Sequence, residues 1–252
     1  MSSIFDRLRR GSEHPPPSGL DLGSLTASEV KIVERAKPYT LTSAERLCAL
    51  IDAVRYCTKR QLPGAFAECG VWMGGSVLAM ILTLQDLGAN DRPIYLYDTF
   101  EGMTRPTEFD TTRYGGRALK HWDDREKRMD SPFERHIFNP QSFHEDAVRE
   151  LLLETGYPPD LVEFVRGPVE QTIPGRAPDG LALLRLDTDW YESTRHELEH
   201  LYPRVCEAGV LIIDDYGHWD GARRAVDEYF DAHAPLPLLN RIDYSGRIAV
   251  KG

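Results

Sequence analysis

The chain has 252 residues, 41% of them hydrophobic and 28% charged, a globular balance that fits one domain of ordinary size. Thirty Lys+Arg against 40 Asp+Glu give a net charge of −10, which disfavours general binding to a phosphate backbone and sets nucleic acid aside as a partner. No window approaches the roughly 20 apolar residues of a membrane span, and residues 1–10 lack the apolar core of a secretory leader, so a cytoplasmic protein without membrane contact is expected.

Residues 11–28 combine Pro, Gly and Ser with few large side chains and read as an arm, so that 1–40 is an N-terminal arm and helical extension ahead of a domain at 41–252. Its apolar residues (Leu20, Leu22, Leu25, Val30, Ile32, Val33) need a partner surface. A homo-oligomer, dimer or higher, is one way to supply it, and packing back onto the chain's own sheet is the other. Thr42 and Glu45 have capping-box spacing, and Leu47, Leu50, Ile51 and Val54 follow on one face, which starts a packed helix near residue 43. Cys48, Cys57, Cys69 and Cys206 form no CxxC pair and read as small buried hydrophobes.

From residue 65 short apolar runs (65–69, 94–97, 161–165, 181–186, 209–213) alternate with helix-like stretches at 76–87, 144–155, 193–204 and 222–233. That alternation predicts an α/β fold with a mostly parallel sheet and helices on both faces. Segments 236–243 and 247–250 flank Ser245-Gly246 as a closing hairpin. The 99–160 gap exceeds what one βα unit needs; its first part, about 101–140, is polar with interleaved aromatics (Phe109, Tyr114, Trp122, Phe133, His136, Phe138) and reads as a lid or substrate loop.

Three constellations carry chemistry. Residues 68–76, ECGVWMGGS, follow the first strand and precede a helix; Gly70 permits the turn, while Gly74 and Gly75 would let backbone approach a ligand at the helix N-terminus. Trp72 stands where a dinucleotide fold needs its second glycine, which disfavours NAD, and Glu68 suits a ligand with a cationic amine such as S-adenosylmethionine. The alternative is a turn that only tightens helix–strand packing. Asp98 closes the second strand, where a carboxylate can accept from ribose hydroxyls or else cap the next turn. Asp187 with Asp189, and Asp214 with Asp215, end the fourth and fifth strands; like charges delivered to one edge call for a hard cation, and an all-oxygen set points to Mg²⁺. Asp187, Asp214 and Asp215 are the ligand candidates, with Asp189 read as a helix cap. His218 and Trp219 reach the same crevice, His218 as a base or as a loop cap. Arg223 and Arg224 read as salt-bridging residues on a solvated helix face.

With these motifs, and with RGPVEQTIP at 166–174, DTFEGM at 98–103, RLDTDWYEST at 185–194 and IIDDYGHWDGARRAVDEYF at 212–230, the sequence resembles the TylF/MycF (macrocin-type) family of metal- and S-adenosylmethionine-dependent sugar O-methyltransferases over roughly 40–250. The resemblance implies a Rossmann-like class I methyltransferase fold with a seven-stranded sheet. It implies cofactor contacts from Glu68, Gly70, Val71, Trp72, Gly74, Gly75, Ser76, Asp98, Thr99, Phe100 and Asp187, with Gly167 and Glu170 near the adenine, and Mg²⁺ on Asp187, Asp214 and Asp215. The acceptor it implies is a sugar hydroxyl of a glycosylated natural product or nucleotide-sugar in antibiotic biosynthesis; a catechol or phenolic acceptor, or a noncatalytic binding protein, are the alternatives. Small catechol-type enzymes usually carry a lysine three residues after the first metal Asp, where this chain has Trp190, so the proton falls to Asp187 or to His218.

Overall fold

A computed structural model describes residues 25–124 and 143–252. Most of the arm, and Phe133, His136 and Phe138 of the insertion, lie outside the described residues. The first helix, α1 (Ala27–Ala36), opens with a reciprocal capping box: Glu29 N–H donates to Thr26 Oγ1 at 3.3 Å, and Thr26 N–H donates to Glu29 Oε2 at 2.5 Å. A 3₁₀ turn (Lys37–Tyr39) leads to α2 (Ala44–Lys59). The capping box expected at Thr42 and Glu45 does not form. Ser43 caps α2 by accepting from Arg46 N–H at 3.1 Å, because the Thr42 hydroxyl is drawn to a buried carboxylate, Asp214, at 2.9 Å.

The α/β alternation follows: β1 (Ala65–Cys69), α3 (Gly75–Asp86), β2 (Ile94–Asp98), α4 (Ala118–Asp123), α5 (Glu145–Leu153), β3 (Val162–Arg166), α6 (Val169–Thr172), β4 (Leu181–Leu186), α7 (Tyr191–His200), β5 (Val205–Ile213), α8 (Asp220–Ala232), β6 (Asn240–Arg241) and β7 (Arg247–Val250). Among the described residues seven strands form one sheet in the order β3-β2-β1-β4-β5-β7-β6, parallel from β3 to β5 and antiparallel beyond. Two boundaries differ from the sequence reading. The fifth strand begins at Val205 rather than 209, with Ala208 at φ +62 interrupting its regular pairing to β4. Residues 236–239 form no strand, and Leu236 and Leu238 are exposed; the closing hairpin pairs only Asn240 and Arg241 with β7.

Period-two alternation sorts the strands onto two cores. Val210 and Ile212 of β5 join Phe66, Leu96 and Leu183 under α1–α3, while Leu211 and Ile213 join Ala67, Tyr97 and Leu184 under α6–α8. Ile32, Val33 and Ala36 of α1 are buried in the first core, so this part of the expected arm packs back on its own chain, against α3 and α2. Cys57 and Cys69 are buried free thiols, as read.

Candidate active site

The chain runs outward from β1 through β2 to β3 and then crosses back to β4 on the other side of β1, which places a topological switch, and a crevice, at the carboxyl ends of β1 and β4. The turn after β1 holds Gly70 at φ +84 and Trp72 at φ +48. A Cβ on Gly70 would run into the Asp187 carbonyl, so glycine is what lets the tips of β1 and β4 meet. At Gly75 the chain packs closely: the carbonyl oxygens of Tyr39 and Ala36 lie 2.6 and 2.8 Å from where its Cβ would stand. On its Cβ side Gly74 likewise faces Val148. Gly74 provides no side-chain cap to α3, which leaves that helix's positive end without a side-chain acceptor.

Asp98 clamps this turn. Its Oδ2 accepts from Val71 N–H at 2.6 Å and Trp72 N–H at 2.9 Å, and its Oδ1 accepts from Phe100 N–H at 2.8 Å. Thr99 Oγ1 adds a long 3.4 Å bond to Oδ1, so the carboxylate's roughly four lone-pair sites are taken within the protein, and burial raises its pKa despite these bonds. A cleft of about 540 Å³ opens beside it, lined by Thr99, Glu101, Gly102, Met103, Thr104, Arg166, Gly167 and Pro168. It brings together Thr99 and Gly167 of the expected cofactor set. Phe100 is buried in the first core, and Glu170 is exposed on α6.

Glu68 lies under the crevice floor. It stands opposite Arg185 in the β1–β4 register, and the two, both about 1% exposed, form an ion pair. Its second oxygen, Oε2, is buried with no hydrogen-bond partner, and burial pushes its carboxyl up to about 8 against the pull of Arg185. Beyond it, Asp187, Asp214 and Asp215 each place one carboxylate oxygen within 4.8 Å of the others. Asp187 Oδ2 accepts from Arg185 Nη1 at 2.7 Å. Asp214 Oδ1 accepts from Thr42 and Arg185, and Oδ2 pairs with Arg46. Asp215 Oδ2 is buried with no partner.

Electrostatics follow from this packing. Burial raises Asp187 to about 6, with Arg185 opposing, and raises Asp189 to about 8, with the Asp187 charge adding to it. Burial and the charges of Asp189 and Asp187 push Asp215 up, while Arg185 and Arg46 outweigh burial and hold Asp214 below its ordinary value. Five carboxylates (Glu68, Asp187, Asp189, Asp214, Asp215) share two guanidinium groups, leaving the cluster short of positive charge. An all-oxygen donor set with an orphaned, buried Asp215 Oδ2 fits a hard divalent cation.

The family model described as macrocin-O-methyltransferase (TylF) matches residues 33–249, nearly the whole described chain. The chain belongs to the macrocin O-methyltransferase family. It is 34% identical over 213 residues to the 8-demethyl-8-(2,3-dimethoxy-alpha-L-rhamnosyl)-tetracenomycin-C 4'-O-methyltransferase of Streptomyces olivaceus, covering 82% of this chain and 74% of that one. It is 30% identical to the mycinamicin III 3''-O-methyltransferase of Micromonospora griseorubida, covering 82% and 76%. The structure of the O-methyltransferase NovP superposes with a TM-score of 0.70 at 29% identity, covering 84% of this chain and 82% of that one.

As a member of the macrocin O-methyltransferase family the chain is an O-methyltransferase, and its insertion is docked over the strand tips as far as it is described. Asp110, buried, accepts from Tyr191 N–H at 2.8 Å and from Thr107 N–H at 2.6 Å; Thr112 forms a β-bridge with Trp219; and Trp190 Nε1 donates to the Thr104 carbonyl at 3.0 Å. Asp189 is not the helix cap it was read as. At φ +68 it turns back to accept from Trp219 Nε1 at 2.7 Å, and Asp110 takes over the cap of α7. His218 is half-buried, its Nδ1 shares a 3.2 Å hydrogen bond with the Tyr244 hydroxyl, and desolvation with Arg46 and Arg113 pulls its pKa down to about 4. Arg223 and Arg224 pair with Asp227 and Glu228 one turn on, as read.

Arg46 and Asp110, and the bond of Thr42 to Asp214 in place of the expected cap, have no local signal, because they rest on contacts between distant segments. The sequence reading missed Arg185, for which a local signal exists: a charged residue inside a six-residue strand buried throughout, in phase with Asp187.

Proposed function

We propose that this protein transfers a methyl group from S-adenosylmethionine to a sugar hydroxyl of a glycosylated natural product or nucleotide-sugar, with a divalent cation, Mg²⁺, held by Asp187, Asp214 and Asp215. The observation that carries the reading is the convergence of these three carboxylates within 4.8 Å, at strand tips beside the Gly70 turn, in a chain whose curated relatives are named for sugar-bearing antibiotics. When bound, the sulfonium cofactor supplies an activated methyl and the cation supplies positive charge that acidifies a hydroxyl beside it.

The chain's own residues do the rest. The β1–α3 turn, clamped by Asp98, presents the uncapped end of α3, and the cleft at Thr99 and Gly167 offers room for the nucleoside. Asp187 is the group that takes the acceptor's proton: Arg185 occupies its Oδ2, and Oδ1 accepts no protein hydrogen bond among the described residues, which leaves it free to accept. His218, bonded to Tyr244 and pulled down to about 4, is the weaker base and serves to orient the acceptor. Trp190 and Trp219, packed edge to face at 4.9 Å, and the docked insertion shield these groups from water.

The test is to incubate chelated and Mg²⁺-replenished protein with S-adenosylmethionine and a panel of deoxysugar glycosides, reading S-adenosylhomocysteine and the methylated position. Turnover on a glycoside that requires Mg²⁺ and disappears in Asp187→Asn is expected. Full turnover after exhaustive chelation contradicts the cation's part, and turnover confined to catechols contradicts the sugar's.

A further inference from the structure

We propose that Arg185 is the positioning residue of the cation site: its guanidinium sets Asp187 and Asp214 in the mutual geometry a divalent cation needs, and Glu68 anchors that guanidinium from below. The inference rests on the metal reading above.

Side chains two apart on a strand share a face, so Arg185 and Asp187 of the β4 tip point the same way. Register carries this across the sheet: Glu68 on β1 lies opposite Arg185, and Ile212, two residues before Asp214, lies opposite it on β5. Four charged groups thus line one face at the ends of three adjacent strands, with Arg185 in the middle. Nη1 donates to Glu68 Oε1 and, at 2.7 Å, to Asp187 Oδ2; Nη2 donates to Asp214 Oδ1 and, at 3.4 Å, to Thr42 Oγ1.

A planar guanidinium fixes the directions of its N–H bonds, so holding two acids on separate nitrogens also fixes the angle between them; an ammonium, a point charge, imposes no such angle. Asp187 keeps a lone pair on Oδ2 and both on Oδ1; Asp214 Oδ1 is filled by Arg185 and Thr42, but Oδ2, bonded to Arg46, keeps one, so both acids accept from Arg185 and can still face a cation. Without the guanidinium, Asp214 keeps Thr42 and Arg46, but Asp187 loses its hydrogen-bond donor and no side chain bridges the two acids. Glu68 is nearly inaccessible and pairs with no other cation among the described residues, which suits an anchor. Partners of this kind behind metal ligands typically account for about 10–100-fold in affinity.

The experiment separates geometry from charge. At pH 9, above the value of about 8 to which burial pushes Glu68, Glu68→Gln/Arg185→Met removes one negative and one positive group and leaves the local charge unchanged, while Arg185→Lys keeps the charge and loses the fork. MgCl₂ is titrated into full-length wild type and both variants by calorimetry, far-UV dichroism monitors folding, and the spin-resonance spectrum of added Mn²⁺ reports ligand geometry. Saturable Mg²⁺ binding by wild type, binding at least tenfold weaker in both variants, and an altered Mn²⁺ spectrum in Arg185→Lys are expected. Affinity within twofold of wild type, or tighter, in a folded double variant makes Arg185 a mere counter-charge and overturns the inference while leaving the metal reading intact. If the double variant does not fold, Arg185→Lys decides by the same criterion. A wild type with no saturable Mg²⁺ binding overturns the metal reading and this inference with it.

Discussion

The Asp110 carboxylate, carried by the insertion, accepts a hydrogen bond from the Tyr191 backbone N–H at 2.8 Å, so a residue 81 positions upstream caps the helix that follows β4. The same oxygen fills the space that a Cβ on Gly221 would need, which ties the insertion to α8 as well. The described part of the insertion, the helix cap and the strand tip are therefore one packed unit.

Asp110→Ala removes that cap and is expected to destabilise the protein by about 1–3 kcal/mol, the range for a lost N-cap or a stranded buried amide. Chemical denaturation measures it. Faster tryptic cleavage at Arg113 and Arg117 should accompany the loss. Asp110→Asn, which keeps an acceptor for Tyr191, is expected to lose less; equal losses in the two variants contradict the capping role.

Gly75→Ala puts a Cβ within 2.6 Å of the Tyr39 carbonyl, a backbone atom that no side-chain rotation can move away. The chain around residues 36–39 must shift, at an expected cost of about 1–3 kcal/mol. Hydrogen exchange should show faster opening of α1 with β4 and β5 unchanged. A neutral substitution here would contradict the close approach of the Tyr39 backbone.

How the stability gained from Mg²⁺ varies with pH follows from the raised carboxyls. Asp187 at about 6 and Asp189 at about 8 bind protons more tightly folded than unfolded. Their contribution to stability is full below the unfolded value of about 4 and is lost as pH rises through the folded values. A cation needs the deprotonated forms, so the gain in Tm on adding Mg²⁺ should grow between pH 6 and pH 8. Thermal unfolding with and without Mg²⁺ at the two pH values measures this. A gain that is flat or shrinks over that interval contradicts it.

Much of this site was legible in the sequence because it lies where local pattern is strongest. Buried parallel strands read as apolar runs, and the residue that ends each run, Cys69, Asp98, Asp187 or Asp214, falls at the sheet's carboxyl edge by construction. Asp189 was misread because side-chain type alone suggested a cap; its φ of +68, which aims it at Trp219, leaves no mark in the sequence. The close approach of the Tyr39 backbone to Gly75 has no local signal either, because the segment that makes it is placed by no local pattern. Arg46 bridges Asp214 and Asp243 from a helix that looks ordinary when read alone.

The joint cation site of the two strand tips is tested most directly by anomalous diffraction from crystals grown with Mn²⁺ and S-adenosylhomocysteine. The account predicts a single strong peak within ligand-bond distance of oxygens from Asp187, Asp214 and Asp215, next to the sulfur of a cofactor lying against the Gly70 turn. A peak elsewhere, or an Asp cluster balanced by Arg46 and Arg185 alone with the cofactor in place, would contradict it.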